Sequence, residues 1–127
     1  MASRAINTGA TGQADFFQNV LGSSVGDSIT GNDAPNSLLG NGGNDTIYGL
    51  AGNDTLGGGT GDDTLGGGTG EDTITGGTGS DSMIGGNNND TFAAKDDILD
   101  TIDGGAGDDS AVRDALLDIV SNVEVLA

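Results

Sequence analysis

One apolar residue recurs at every ninth position through the middle of this chain. Ile29, Leu38, Ile47, Leu56, Leu65, Ile74, Met83 and Phe92 fall on that beat, and Ile102 and Ala111 take it up again after one slip. A period of nine is neither the 3.6 of a helix nor the 2 of a long strand. Around each apolar residue stands the frame Gly-Gly-x-Gly-x-Asp-x-(apolar)-x. It is clearest at 58–66 (GGTGDDTLG), 67–75 (GGTGEDTIT) and 76–84 (GGTGSDSMI). The Asp-x-apolar-x part predicts a very short strand with its apolar side chain inward. The Gly-Gly-x-Gly-x part predicts a turn, because glycine reaches positive φ without steric cost. A unit this short cannot bury its own apolar residue and must stack on its neighbours. Strand plus turn carries the chain half-way round, so two repeats make one coil of an all-β solenoid.

The frame extends in both directions with defects. Residues 22–30 (GSSVGDSIT) and 31–39 (GNDAPNSLL) are weak copies, the second with Asn36 at the Asp position and Pro35 in its loop. Residues 40–48 and 49–57 are good copies, and 85–93 (GGNNNDTFA) still holds. Residues 94–103 slip by one, which reads as a loop insertion, and 104–112 (GGAGDDSAV) restore the frame.

Coiling at two repeats per turn sorts the acids into two columns. One holds Asp27, Asp45, Asp63, Asp81 and Asp100. The other holds Asn36, Asp54, Asp72, Asp90 and Asp109. Stacked parallel strands lie about 4.8 Å apart, and carboxylates at that spacing repel unless a cation sits between them. The whole chain shows the same imbalance. Its 127 residues carry 20 Asp and Glu against 3 Lys and Arg, a net charge of −17, with only 3% aromatic residues. Low hydrophobicity with high charge is the signature of disorder, so a fold needs something to neutralise the acids. Oxygen-only sites made of carboxylates and backbone carbonyls suit Ca²⁺ better than Mg²⁺. Five loops per side leave four gaps per side, hence at most about eight ions, whose charge nearly cancels that of the chain.

Three segments follow: 1–21, a cap or interface holding Ile6, Phe16, Phe17, Val20 and Leu21; 22–112, the repeat; and 113–127 (RDALLDIVSNVEVLA), a second cap. In the last, Asp114 to Asp118 reads as a helical turn and Val123 to Val125 as a final strand. Terminal units of a stack commonly cover its open ends in this way. The N-terminus lacks the apolar region of a signal peptide, and no apolar run is long enough to span a membrane. The acidity argues against nucleic acid as a partner.

The frame resembles the RTX (repeats-in-toxin) calcium-binding nonapeptide over residues 22–112. That resemblance implies a parallel β-roll with Ca²⁺ between successive turns. It implies side-chain ligands at Asp45, Asp54, Asp63, Asp72, Asp81, Asp90 and Asp109, with Asp27 and Asp100 completing the columns. The remaining ligands are placed on the backbone carbonyls of Gly58, Gly59, Gly61, Gly67, Gly68, Gly70, Gly76, Gly77 and Gly79. Departures at Val25, Ala34, Pro35, Asn36 and Asn88 fall in the first turn and one later loop. Members of the family are typically bacterial and leave the cell unfolded through a type I channel, guided by an uncleaved C-terminal signal. The apolar end Val125-Leu126-Ala127 is compatible with such a signal.

Catalysis is not expected. The chain has no His, no Cys and a single Lys, Lys95, which removes most acid–base and nucleophile constellations. The acid pairs Asp62-Asp63, Asp96-Asp97 and Asp108-Asp109 read as one ligand beside one solvated neighbour. No segment fits an EF-hand or a phosphate loop. The Asn-x-Thr sequons at Asn44, Asn53 and Asn89 arise from the repeat itself. Three functions remain: a secreted structural protein that folds on Ca²⁺ and assembles head to tail into filaments or a matrix; the C-terminal secretion and folding module of a larger toxin, protease, lipase or adhesin; and a monomeric Ca²⁺ buffer. The initial Met and the lack of a second domain favour the first.

Overall fold

The computed structural model describes residues 5–7, 19–114 and 117–126. Phe16 and Phe17 lie outside them. Among the described residues there are strands and turns but no helix, so none is long and apolar enough to cross a membrane.

Fourteen strands follow in order: β1 (Ala5–Asn7), β2 (Asn19–Leu21), β3 (Ser28–Thr30), β4 (Ser37–Gly42), β5 (Thr46–Ala51), β6 (Thr55–Thr60), β7 (Thr64–Thr69), β8 (Thr73–Thr78), β9 (Ser82–Asn87), β10 (Thr91–Ala94), β11 (Thr101–Ala106), β12 (Ser110–Arg113), β13 (Ile119–Ser121) and β14 (Val125–Leu126). Odd strands form one seven-stranded parallel sheet and even strands the other. Each strand pairs with the one two places on, as in Thr55↔Thr73 and Thr64↔Ser82. The molecule is therefore a parallel β-roll with two repeats per coil.

The predicted apolar column is the core. Ile29, Ile47, Leu65, Met83 and Ile102 line the odd sheet, facing Leu38, Leu56, Ile74, Phe92 and Ala111 from the even sheet, and all ten are buried. Val20 and Ala94 join them, and Val120 and Val123 pack against the end.

Two features differ from the sequence reading, and a third bears it out. First, the regular strands are longer than Asp-x-apolar-x. In β6 the ladder includes Gly59↔Gly77 and Thr60↔Thr78, so the turn shrinks to Gly61–Asp63. The glycine pair lies within the strand: Gly58 is buried, and Gly59 holds φ +118°. Inward-facing Gly58 has no Cβ to obstruct the next coil, so backbone pairing continues past the apolar residue. Second, the coil continues through the tail. β13 adds to β11 and β14 adds to β12. Asp118 N–H and Leu117 N–H both donate to Asp114 O at 3.0 Å, a single turn at the expected place. The final strand is Val125–Leu126, and Ile119–Ser121 is a strand the sequence reading did not anticipate. The slip is one residue, as the sequence implies: β8 pairs β10 with Thr73↔Thr91, while β10 pairs β12 with Thr91↔Ser110. The extra residue lies in the loop after β10, where Asp97 takes φ +67°.

Each coil holds two large apolar side chains and little else in its core. Leu65→Ala removes one of them completely and should destabilise the calcium-loaded roll by about 2–5 kcal/mol. Urea unfolding in saturating Ca²⁺ measures this. A loss within error of zero would mean that the core column does not hold the coils together.

Candidate metal centre

The turn places each aspartate at a corner between two coils. Backbone and side chain are both committed there. Asp45 N–H donates to Asp63 Oδ1 at 2.7 Å, and Asp45 O accepts from Thr64 N–H at 2.9 Å. The same link runs Asp27–Asp45–Asp63–Asp81–Asp100–Asp118 on one edge, with amide-to-carboxylate distances of 2.6–3.1 Å. On the other edge it runs Asn36–Asp54–Asp72–Asp90–Asp109–Glu124, at 2.7–2.8 Å. The two columns are those read from the sequence. Asp118 and Glu124 extend them. Asp118 stands eighteen residues after Asp100, so the period could have revealed it. Glu124 is fifteen after Asp109 and outside any register.

The other carboxylate oxygen has no donor. Oδ2 of Asp45, Asp54, Asp63, Asp72, Asp81, Asp90, Asp100 and Asp109 is buried and without a hydrogen-bond partner. These eight divide four to each edge. At the ends the pattern changes: Asp27 Oδ2 accepts Ser23 N–H at 2.6 Å, and Asp118 Oδ2 accepts Asp114 N–H at 2.7 Å.

A second acceptor approaches several of these oxygens. A methyl group placed on Gly58 would overlap Asp63 Oδ2 and lie 2.6 Å from Gly76 O. The same test at Gly40 finds Asp45 Oδ2 with Gly58 O, and at Gly49 it finds Asp54 Oδ2 with Gly67 O. The carbonyls of Gly58, Gly67 and Gly76 are thus brought to carboxylates. A methyl group placed on Gly77, Gly79 or Gly86 would overlap the carbonyl of Gly59, Gly61 or Gly68 one coil before. Gly70 and Gly79 donate their N–H groups, to Asn87 O and Asp96 Oδ2 respectively. Gly77 lies within β8 at φ +117°. Among the described residues no three acidic side chains gather at one point, so a cation here would draw on backbone carbonyls or water as well. A buried carboxylate oxygen with no donor, beside a backbone carbonyl, is an arrangement that a hard cation relieves.

The electrostatics agree. Burial pushes Asp54, Asp63, Asp90 and Asp100 up to about 6, against the restraining amide bond each accepts and with help from neighbouring carboxylates. Burial likewise raises Asp45, Asp72 and Asp81.

The fifth position of the repeat carries a second ladder that the sequence reading missed. Asn44 Oδ1 accepts Asp62 N–H, Asn53 Oδ1 accepts Glu71 N–H, Asp62 Oδ1 accepts Ser80 N–H and Asn89 Oδ1 accepts Asp108 N–H, at 3.0–3.1 Å. The sequon asparagines therefore stitch one coil to the next.

The comparison with known families settles the assignment. The RTX calcium-binding nonapeptide repeat matches in four copies, at residues 21–56, 30–65, 57–92 and 100–111. The chain belongs to the RTX repeat family. RTX repeats bind calcium, and this one is a calcium-binding repeat protein whose buried oxygen donors suit that ion. No curated protein and no solved structure matches the chain.

The raised carboxyls fix a pH dependence. The four pushed to about 6 bind a proton more tightly folded than unfolded, where an aspartate titrates near ~3.9. Their contribution to the metal-free roll is therefore fully present below about 4 and lost as pH rises through about 6. Circular dichroism of dilute protein in chelator should show β-structure in acid that fades toward neutrality. A signal that instead grows between those limits would contradict the assignment.

Proposed function

We propose that this protein is an extracellular, calcium-gated structural element: disordered where Ca²⁺ is scarce and a β-roll where it is abundant. The observation that carries this reading is the set of eight buried carboxylate oxygens without a donor. At neutral pH a buried anion without a partner opposes folding. An ion that binds the roll and not the open chain stabilises it by mass action. Asp45, Asp54, Asp63, Asp72, Asp81, Asp90, Asp100 and Asp109 are the proposed side-chain ligands. Backbone carbonyls such as those of Gly58, Gly67 and Gly76 complete the sites, giving up to about eight ions. Asp27 stands at the end of its column with Oδ2 already bonded to Ser23 N–H.

Gating of this kind suits passage through a type I channel as an open chain, followed by folding outside the cell. No acid–base chemistry is needed, and the role is structural rather than catalytic. β13 and β14 end the two sheets, and an open strand edge is a template for another chain. Head-to-tail contact of such ends does not close and would build a filament.

Asp63→Asn keeps an acceptor for Asp45 N–H but removes the charge. Calorimetric titration should find fewer bound Ca²⁺ ions, and circular dichroism should place the folding midpoint at higher Ca²⁺. An unchanged ion count and midpoint would show that the Asp column does not hold the metal. Electron microscopy of the wild type in Ca²⁺ and in chelator tests the filament directly.

A further inference from the structure

The acids crowd the two edges, and the strands carry almost none of the charge. Of the described strand residues, Asp103 and Arg113 alone are charged. The outward face of the even sheet has no charge along its middle. Its central column reads Leu21, Leu39, Gly57, Thr75, Ala93, Val112, each paired in register with the next. Leu21, Leu39 and Val112 are 66%, 40% and 45% exposed. Between Leu39 and Thr75 lies a groove of about 350 Å³, floored by Gly57, Gly58 and Gly59. This is an uncharged surface with an apolar central strip, on a molecule of net charge −17.

We propose that this face binds the same face of a second copy, with the two rolls antiparallel. The column is self-complementary when reversed. Leu21 then meets Val112, Leu39 meets Ala93, and Gly57 meets Thr75, so the side chain that projects most is set against one that projects less. An isologous two-fold contact requires that property. Reversal of the odd sheet's column, Thr30, Tyr48, Gly66, Ile84, Asp103, Ser121, sets Asp103 against Tyr48. It would bury a carboxylate in each half. The even face spans six coil steps of about 4.8 Å by some five residues of about 3.3 Å, roughly 500 Å² per copy. A pair buries about 1,000 Å², the lower end for specific association, so the dimer is weak and reversible. Packing face to face leaves all four acidic edges in water.

Sedimentation in saturating Ca²⁺ tests this, with circular dichroism confirming that each variant folds. The wild type should pass from monomer to dimer with concentration. Ala93→Asp and Thr75→Asp should stay monomeric, while Ile84→Asp on the odd face should still pair. A monomeric wild type, or pairing that survives Ala93→Asp, overturns the proposal. Orientation is read with a short bismaleimide cross-linker, since the chain has no cysteine. T75C copies should cross-link because the two-fold axis passes beside that position. L21C copies should not, because reversal places them at opposite ends. Cross-linking of both, or of neither, refutes the antiparallel contact. Any axial filament would survive Ala93→Asp and so remain distinguishable.

Discussion

At each inner corner of the roll, a carboxylate is held in place by its neighbour's amide while its second oxygen is buried with no hydrogen to accept. The constraint repeats once per coil on each edge, from Asp45 to Asp100 and from Asp54 to Asp109. The amide bond anchors the oxygen, and burial removes the water that would otherwise solvate it. Separation of about 4.8 Å between coils brings the next carboxylate near. On the proposed reading, a fold assembled from this corner is incomplete at neutral pH until a proton or a metal ion supplies the missing positive charge. Acid and calcium are thus two answers to one deficit.

The rest of the architecture accommodates that corner. Glycine at the first position leaves room for the carboxylate oxygen: a Cβ at Gly40, Gly49, Gly58, Gly67, Gly76 or Gly85 would overlap it. Glycine at the second and fourth positions turns the backbone at positive φ, as at Gly59 and Gly61. A coil built this way has space inside for one apolar residue per repeat. The core is therefore a thin column, each side chain contributing about 1.5–3 kcal/mol on burial. Such a core is modest beside the charge it must hold together, which is the ground for proposing that the metal and not the apolar column governs folding.

Much of this was legible in the residues. The ten apolar positions, the two Asp columns and the one-residue slip near Lys95 follow from a strict period, because a solenoid turns sequence spacing directly into spatial neighbourhood. What escaped reading lies where the period breaks or where several roles fit one residue. Glu124 reaches Asp109 N–H through a longer side chain from an irregular tail, so no spacing rule locates it. Asn44 and Asn53 read as sequons arising from the repeat, since a stitch between coils is visible only once the coils are stacked. The strand boundary was drawn too early because glycine suggests a turn, whereas here it permits close stacking within a strand. The even face escaped too: its reversal symmetry appears only after every second repeat is set in one sheet.

Backbone hydrogen exchange at neutral pH, read residue by residue, tests the central claim most directly. The amides of Asp45, Asp54, Asp63, Asp72 and Asp81, each bonded to a carboxylate one coil on, should be strongly protected in Ca²⁺. In chelator they should lose that protection together. Protection of these amides in chelator at neutral pH would show that the carboxylate columns stand without a cation, and would contradict the account.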